Sequence, residues 1–147
     1  MGALDYAARA AGAWLLGFAP FAEIYVAVPV ALATGLDPAS VVVWTVAGNY
    51  APVPLIHLLY ERLVAIPRVG RWFGRLVSER FAARIERHGM WIVLIVTPWV
   101  GVWAVAVTAK VVRLRRRALF GATLLSIVLY AVALVVLIEL GLQLGSA

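Results

Sequence analysis

The sequence predicts an all-α integral membrane protein: an inverted repeat of two re-entrant helical hairpins and two long transmembrane helices, joined by a cytoplasmic amphipathic helical segment. Three observations point there: a large apolar excess, two apolar stretches interrupted by proline, and basic residues gathered into two clusters. With 65% hydrophobic residues, 14% charged residues and a mean hydropathy of +0.99 over 147 residues, the chain has too little polar surface to cover a water-soluble globule. No Ser/Gly linker or low-complexity segment divides it, so one membrane domain is expected: repeat one over about 5–62, a connector over 63–88 and repeat two over about 89–141. The chain has no cysteine, which excludes disulfides, thiolate metal sites and cysteine nucleophiles. Its two histidines, far apart, argue against a metal centre, and no cofactor is expected.

Residues 1–17 form a weakly amphipathic lead that lacks the basic start of a signal peptide, and they are taken as part of the fold. From Ala10 to Leu36 the only ionisable group is Glu23, which divides two apolar runs of thirteen residues. Neither run alone spans a hydrocarbon core of about 30 Å at about 1.5 Å per helical residue, though both together do. Length therefore leaves a span and a hairpin open. After the turn signal Gly35-Leu-Asp37-Pro38, the run Pro38 to Tyr60 has twenty-three residues without a formal charge and reads as a transmembrane helix opened by proline. Gly48-Asn49 and Pro52-Val-Pro54 loosen it halfway, and Thr45, Asn49, Val53 and His57 share an inward face.

From Pro67 to His88 arginines alternate with Trp72, Phe73, Leu76, Val77, Phe81 and Ile85 at helical spacing, as in a helix lying in the membrane interface. Ser78 is the expected cap between two shorter helices. Arg68, Arg71, Arg75, Arg84 and Arg87 are the expected contacts to lipid headgroups, with membrane lipids as partners; simple anchoring of topology is the alternative. Gly89 to Ala109 is again free of charge, interrupted at Pro98-Trp-Val-Gly101, and Ala118 to Ile138 is the second span.

Charge discriminates between architectures. Seven arginines lie between Arg62 and Arg87, and five basic residues between Lys110 and Arg117, leaving Arg9 alone elsewhere. Were all four apolar segments to cross the bilayer, those two clusters would face opposite compartments, against the positive-inside bias. If the segment around Pro98 enters and leaves on one side, both are cytoplasmic, and the chain sits multi-pass in the inner membrane of a prokaryote. The clustering also sets aside nucleic acid as a partner. A repeat offset of 78 residues places Pro20 on Pro98, Tyr25 on Trp103, Thr45 on Thr123 and Glu61 on Glu139. Each half then reads as helix, proline break, short helix, polar turn and long span, and two such halves of inverted topology are common in transporters.

Glu23-Ile-Tyr-Val-Ala-Val-Pro29, Gly48-Asn49 with Pro52-Val-Pro54, His88-Gly89, and Pro98 to Trp103 occur in an order and spacing that resembles the small multi-drug export protein family. That family is distantly similar to DedA-like (SNARE-associated, VTT) membrane proteins. The resemblance runs from about Gly17 to Gly141 and implies two re-entrant hairpins facing each other, with export or lipid translocation as the activity. The chain departs from the family pattern in having Tyr25 where an arginine follows the glutamate, and Val96-Thr-Pro98-Trp-Val-Gly101 in place of a Pro-x-Pro-Gly-Thr-Gly-type break.

The expected substrate or proton pathway comprises Glu23, Tyr25, Pro29, Asn49, Pro98, Gly101, Trp103 and Lys110. An intramembrane carboxylate beside a helix break can take up and release a proton as access alternates; the simpler alternative is that it caps broken-helix amides. Helix starts after Pro20 and Pro98 suit an anionic headgroup, with Lys110 either holding that anion or reaching the interface as an anchor. Asn49 is expected to bond Glu23 or carbonyls near Pro52. Proton-coupled export of a small amphiphile or an anionic lipid headgroup leads; a non-transporting membrane organiser is second. An enzyme is third, since no nucleophile is paired with a base. So few helices also suggest that a homodimer encloses the pathway.

Overall fold

The computed structural model describes residues 2–145, with side chains to residue 143. All regular structure among them is helical. The helices are α1 (Ala3–Phe18), α2 (Glu23–Ala33), α3 (Pro38–Tyr50), α4 (Pro52–Val64), α5 (Pro67–Leu76), α6 (Glu79–His88), α7 (Met90–Val100), α8 (Val102–Val111) and α9 (Arg116–Gly145). Among the described residues two stretches are long and apolar enough to cross a membrane: Pro38–Val64, of 27 residues, and Arg116–Gln143, of 28. At about 1.5 Å per residue each exceeds the roughly 30 Å hydrocarbon thickness. Both run further than the charge-free windows predict, because helix propensity carries Glu61, Arg62, Arg116 and Arg117 beyond the apolar core.

The chain divides into two compact units: the described residues up to Tyr50 with those from Ile127 onward, and Ala51–Ser126. In the first unit α1 packs on α2 and α3. Asp37 sits just before α3, where its Oδ1 accepts from the Ser40 backbone N–H at 2.9 Å, and Pro38 occupies the first helical position, where a missing N–H costs nothing. The Trp44 indole N–H donates to the Tyr6 hydroxyl, which also bonds Ser40 Oγ, both at 3.0 Å, pinning the start of α1 to α3. Arg9 pairs with Asp5 at 3.0 Å and donates to the Thr34 carbonyl at the end of α2. The expected inward face holds, with Thr45, Asn49 and Val53 buried and His57 half-buried.

Gly48 does something other than loosen its helix. The helix is regular through Tyr50 and is interrupted at Ala51, where Pro52 and Pro54 have no N–H to give to the carbonyls four residues back. Gly48 instead lets backbones meet: a methyl group there would overlap the Trp14 carbonyl, and one on Gly17 would stand 2.5 Å from the Thr45 carbonyl oxygen.

In the second unit α8 packs against α4, α5, α6 and α7, and every residue from Val102 to Ala109 is buried. An apolar helix without a polar face belongs inside protein or lipid, and here it is protein that covers it. α5 and α6 bury Phe73, Phe81 and Ile85 and expose Arg68, Arg71, Arg75, Arg84 and Arg87, as their amphipathic spacing predicts. Ser78 stands at the N-cap of α6 but its side chain makes no capping hydrogen bond. α9 keeps Leu129, Val132, Val136 and Leu137 exposed, an apolar side that no other described helix covers.

Candidate functional site

The first break occupies residues 19–22, between α1 and α2. Pro20 cannot continue the helix, and Phe21 projects with 90% of its surface exposed. The turn closes through the Ala19 carbonyl, which accepts from the N–H groups of Ala22 and Glu23, both at 3.2 Å. Glu23, half-buried, opens α2 at φ +47°, a left-handed backbone that is uncommon for a residue with a long side chain. Tyr25 and Pro29 lie on α2 and are exposed.

Breaking a helix frees carbonyls in its last turn. One of these, on Gly17, accepts from Asn49 Nδ2 of α3 at 3.0 Å. Asn49 is 2% exposed, so this bond removes a cost that a buried unpaired carbonyl would impose. The expectation that Asn49 bonds Glu23 or the carbonyls near Pro52 is thus corrected: its amide serves the opposite helix, because Gly17 lets α1 and α3 approach closely.

The second break is a single residue. α7 runs through Pro98 to Val100, Gly101 takes φ +90° and ψ +144°, and α8 starts at Val102. That backbone region is open to glycine and nearly closed to other residues. The Gly101 N–H still closes the last turn of α7 on the Thr97 carbonyl at 2.9 Å, and the Thr97 hydroxyl donates back to the Val93 carbonyl. Pro98 is therefore in the last turn before the break, not at it. Having no N–H, it leaves the Leu94 carbonyl free, and Ser126 Oγ of α9 donates to that carbonyl at 2.7 Å. Ser126 is a site residue that the sequence reading missed; its only signal was its place opposite a proline-freed carbonyl on another helix.

Around this break Trp99 is 79% exposed, whereas Trp103 is buried and packs on Trp72 with ring centroids 5.3 Å apart. Lys110 is not beside it. Nine residues on, about 13 Å along α8, its Nζ donates to the His57 carbonyl at 3.2 Å and lies 6.0 Å from the Tyr60 ring centroid. The sequence-predicted residues thus fall into three places: Glu23, Tyr25, Pro29 and Asn49 about the first break, Pro98, Gly101 and Trp103 about the second, and Lys110 with α4. No group of three or more metal-ligating side chains occurs among the described residues.

Residues 23–133 match the model of the family described as "Putative small multi-drug export protein". No curated protein and no solved structure matches the chain. The matched segment starts at Glu23, takes in both long apolar helices as far as residue 133 and contains the second break; the family match, with those helices, indicates a membrane export protein. With three quarters of its length inside that match, the chain belongs to the small multi-drug export protein family.

Proposed function

We propose that the protein exports a small amphiphile or an anionic lipid headgroup, coupled to protons through Glu23. In this reading the two broken hairpins dip into the bilayer from opposite sides as an inverted repeat, in the manner of DedA-like proteins. The arginine-bearing connections lie in the cytoplasm of a prokaryotic cell. The protein works as a carrier rather than an enzyme, and a homodimer completes the enclosure.

One observation carries the reading: each break leaves a carbonyl that a side chain from a long apolar helix satisfies. Asn49 and Gly17 are 32 residues apart, and so are Ser126 and Leu94; the second pair follows the first by 77 residues, close to the sequence offset of Pro20 and Pro98. Irregular backbone persists at membrane depth only where protein or trapped water answers its polar groups, so these two bonds fit hairpins that turn back inside the bilayer. Glu23 adds a carboxylate on strained backbone, and strain of this kind gathers at working sites.

The test uses everted vesicles with ethidium or a short-chain fluorescent phosphatidylglycerol as cargo. Glu23→Gln should fold and lose proton-dependent uptake; unchanged uptake of both probes removes the carrier. Single cysteines introduced at Arg75 and Arg115 of this cysteine-free chain should label from one side. Labelling from opposite sides dismisses the hairpins. A second reading, a membrane organiser, draws on Arg68, Arg71, Arg75, Arg84 and Arg87, five of the six exposed arginines of α5 and α6, and predicts that replacing them matters while Glu23 is dispensable.

A further inference from the structure

Within the unit Ala51–Ser126, a cavity of about 630 Å³ lies where α4 and α8 end and α9 begins. Lys110, Arg113, Arg115 and Arg116 line it, opposed by one carboxylate, Glu61. Four cations around one cavity repel one another, and a bound anion would relieve that repulsion. Lys110 is held at the wall by the His57 carbonyl, and its ammonium keeps further N–H donors for an incoming acceptor. His57 contributes more: its ring packs edge-on against Phe120, and its Nε2 is buried without a hydrogen-bond partner. Arg113 holds φ +55°, a left-handed conformation that glycine or asparagine would adopt at lower cost, yet the position presents a guanidinium.

A second hollow of about 370 Å³ shares His57 and Arg116 with this cavity and adds Arg117 beside three apolar residues, Pro54, Leu58 and Phe120. A cationic cup joined to an apolar groove has the complementarity of an amphiphile, not of a free ion. Basic pockets between membrane helices hold phospholipid heads through charge-assisted hydrogen bonds of this kind.

We propose that the cup binds the phosphate of an anionic phospholipid whose acyl chain lies along Pro54, Leu58 and Phe120. This lipid is resident rather than cargo, and the inference does not depend on the export reading. The arginines here are separate from those of α5 and α6, so the two sets can be changed independently.

The full chain, purified in micelles, is mixed separately with phosphatidylglycerol, phosphatidylcholine and inorganic phosphate, and bound species are counted by native mass spectrometry alongside the thermal midpoint. Phosphatidylglycerol should be retained at least tenfold over phosphatidylcholine and raise the midpoint, with inorganic phosphate giving no comparable shift. The pair Arg113→Gln, Arg116→Gln should lose that preference, while Arg62→Gln, Arg80→Gln, with the same change of charge, should keep it. Leu58→Gln leaves every cation in place and keeps the test decisive should the first pair not fold; it should weaken retention of dioleoyl but not of dihexanoyl phosphatidylglycerol. Equal losses in both arginine pairs, an absence of preference, no effect of Leu58→Gln on the long-chain lipid, or protection by inorganic phosphate equal to that of the lipid would each overturn the proposal.

Discussion

At the first break glycine works by its size, and at the second by its dihedral freedom. Gly17 and Gly48 are ordinary helical residues placed where α1 and α3 touch backbone to backbone, whereas Gly101 holds φ +90° between two helices. Proline differs likewise: Pro20 stands in the four-residue turn, and Pro98 in the last turn of α7, three residues ahead of the break. Yet both sites end with one freed carbonyl and one donor from a long helix. A helix can thus be broken by either means, provided that the carbonyl the break frees is answered.

The largest effect should come from adding one methyl group at the first break. In an exposed helix Gly→Ala gains about 0.5–1 kcal/mol, and Gly12→Ala on α1, with open space around it, should show that gain. Gly48→Ala should instead destabilise by about 3 kcal/mol, the upper part of the usual overpacking range, since the obstacle is the Trp14 main chain and not a side chain that can swing aside. Unfolding titrations in mixed micelles measure both. A gain at Gly48 would erase the distinction between the breaks.

Gly101→Ala comes next, at about 2 kcal/mol, the cost of forcing a side chain into a backbone region that belongs to glycine. Glu23 supplies the converse case, because it already sits at positive φ. Compared with Glu23→Gln, Glu23→Gly should be more stable by about 1 kcal/mol, as both lack the carboxylate and only one keeps the strain. Parity between them would mean that the surroundings impose no cost at this position.

Asn49→Ala and Ser126→Ala test the feature the two breaks share. Each leaves a carbonyl unanswered, buried at Gly17 and partly buried at Leu94, at about 1–2 kcal/mol. Similar losses would sharpen the equivalence of the halves, and a loss at one position alone would break it. These bonds also mark the limit of what the sequence discloses. Apolar runs, Pro20, Pro98 and the arginine spacing made the element order, the long helices and the amphipathic connector legible, because each is a local pattern. The partner of Asn49, the part played by Ser126 and the meeting of Lys110 with His57 join residues 32 to 53 positions apart. No local pattern encodes such pairings. The left-handed turn at Glu23 was hidden for a different reason: glycine and asparagine announce that conformation, and glutamate does not.

The smallest effect belongs to the turn that leads from α2 into α3. Ser40, through its side chain first and its backbone N–H second, holds the Asp37 carboxyl below its ordinary range. A carboxyl more acidic in the folded state than in the unfolded one adds stability that is complete above its unfolded pKa of about 3.9 and is lost as pH falls through the lower folded value. The thermal midpoint should therefore be level from pH 7 to about pH 5 in this respect and decline below it, by a margin kept small because the turn is open to solvent. Asp37→Asn retains a capping oxygen without the charge, so it should flatten that decline while leaving the midpoint at pH 7 little changed. α8 leads into α9 through Arg113 to Arg115 with no acidic cap, so that connection should not share the response. A decline that survives Asp37→Asn would trace the acid sensitivity to another carboxylate and separate it from the turn.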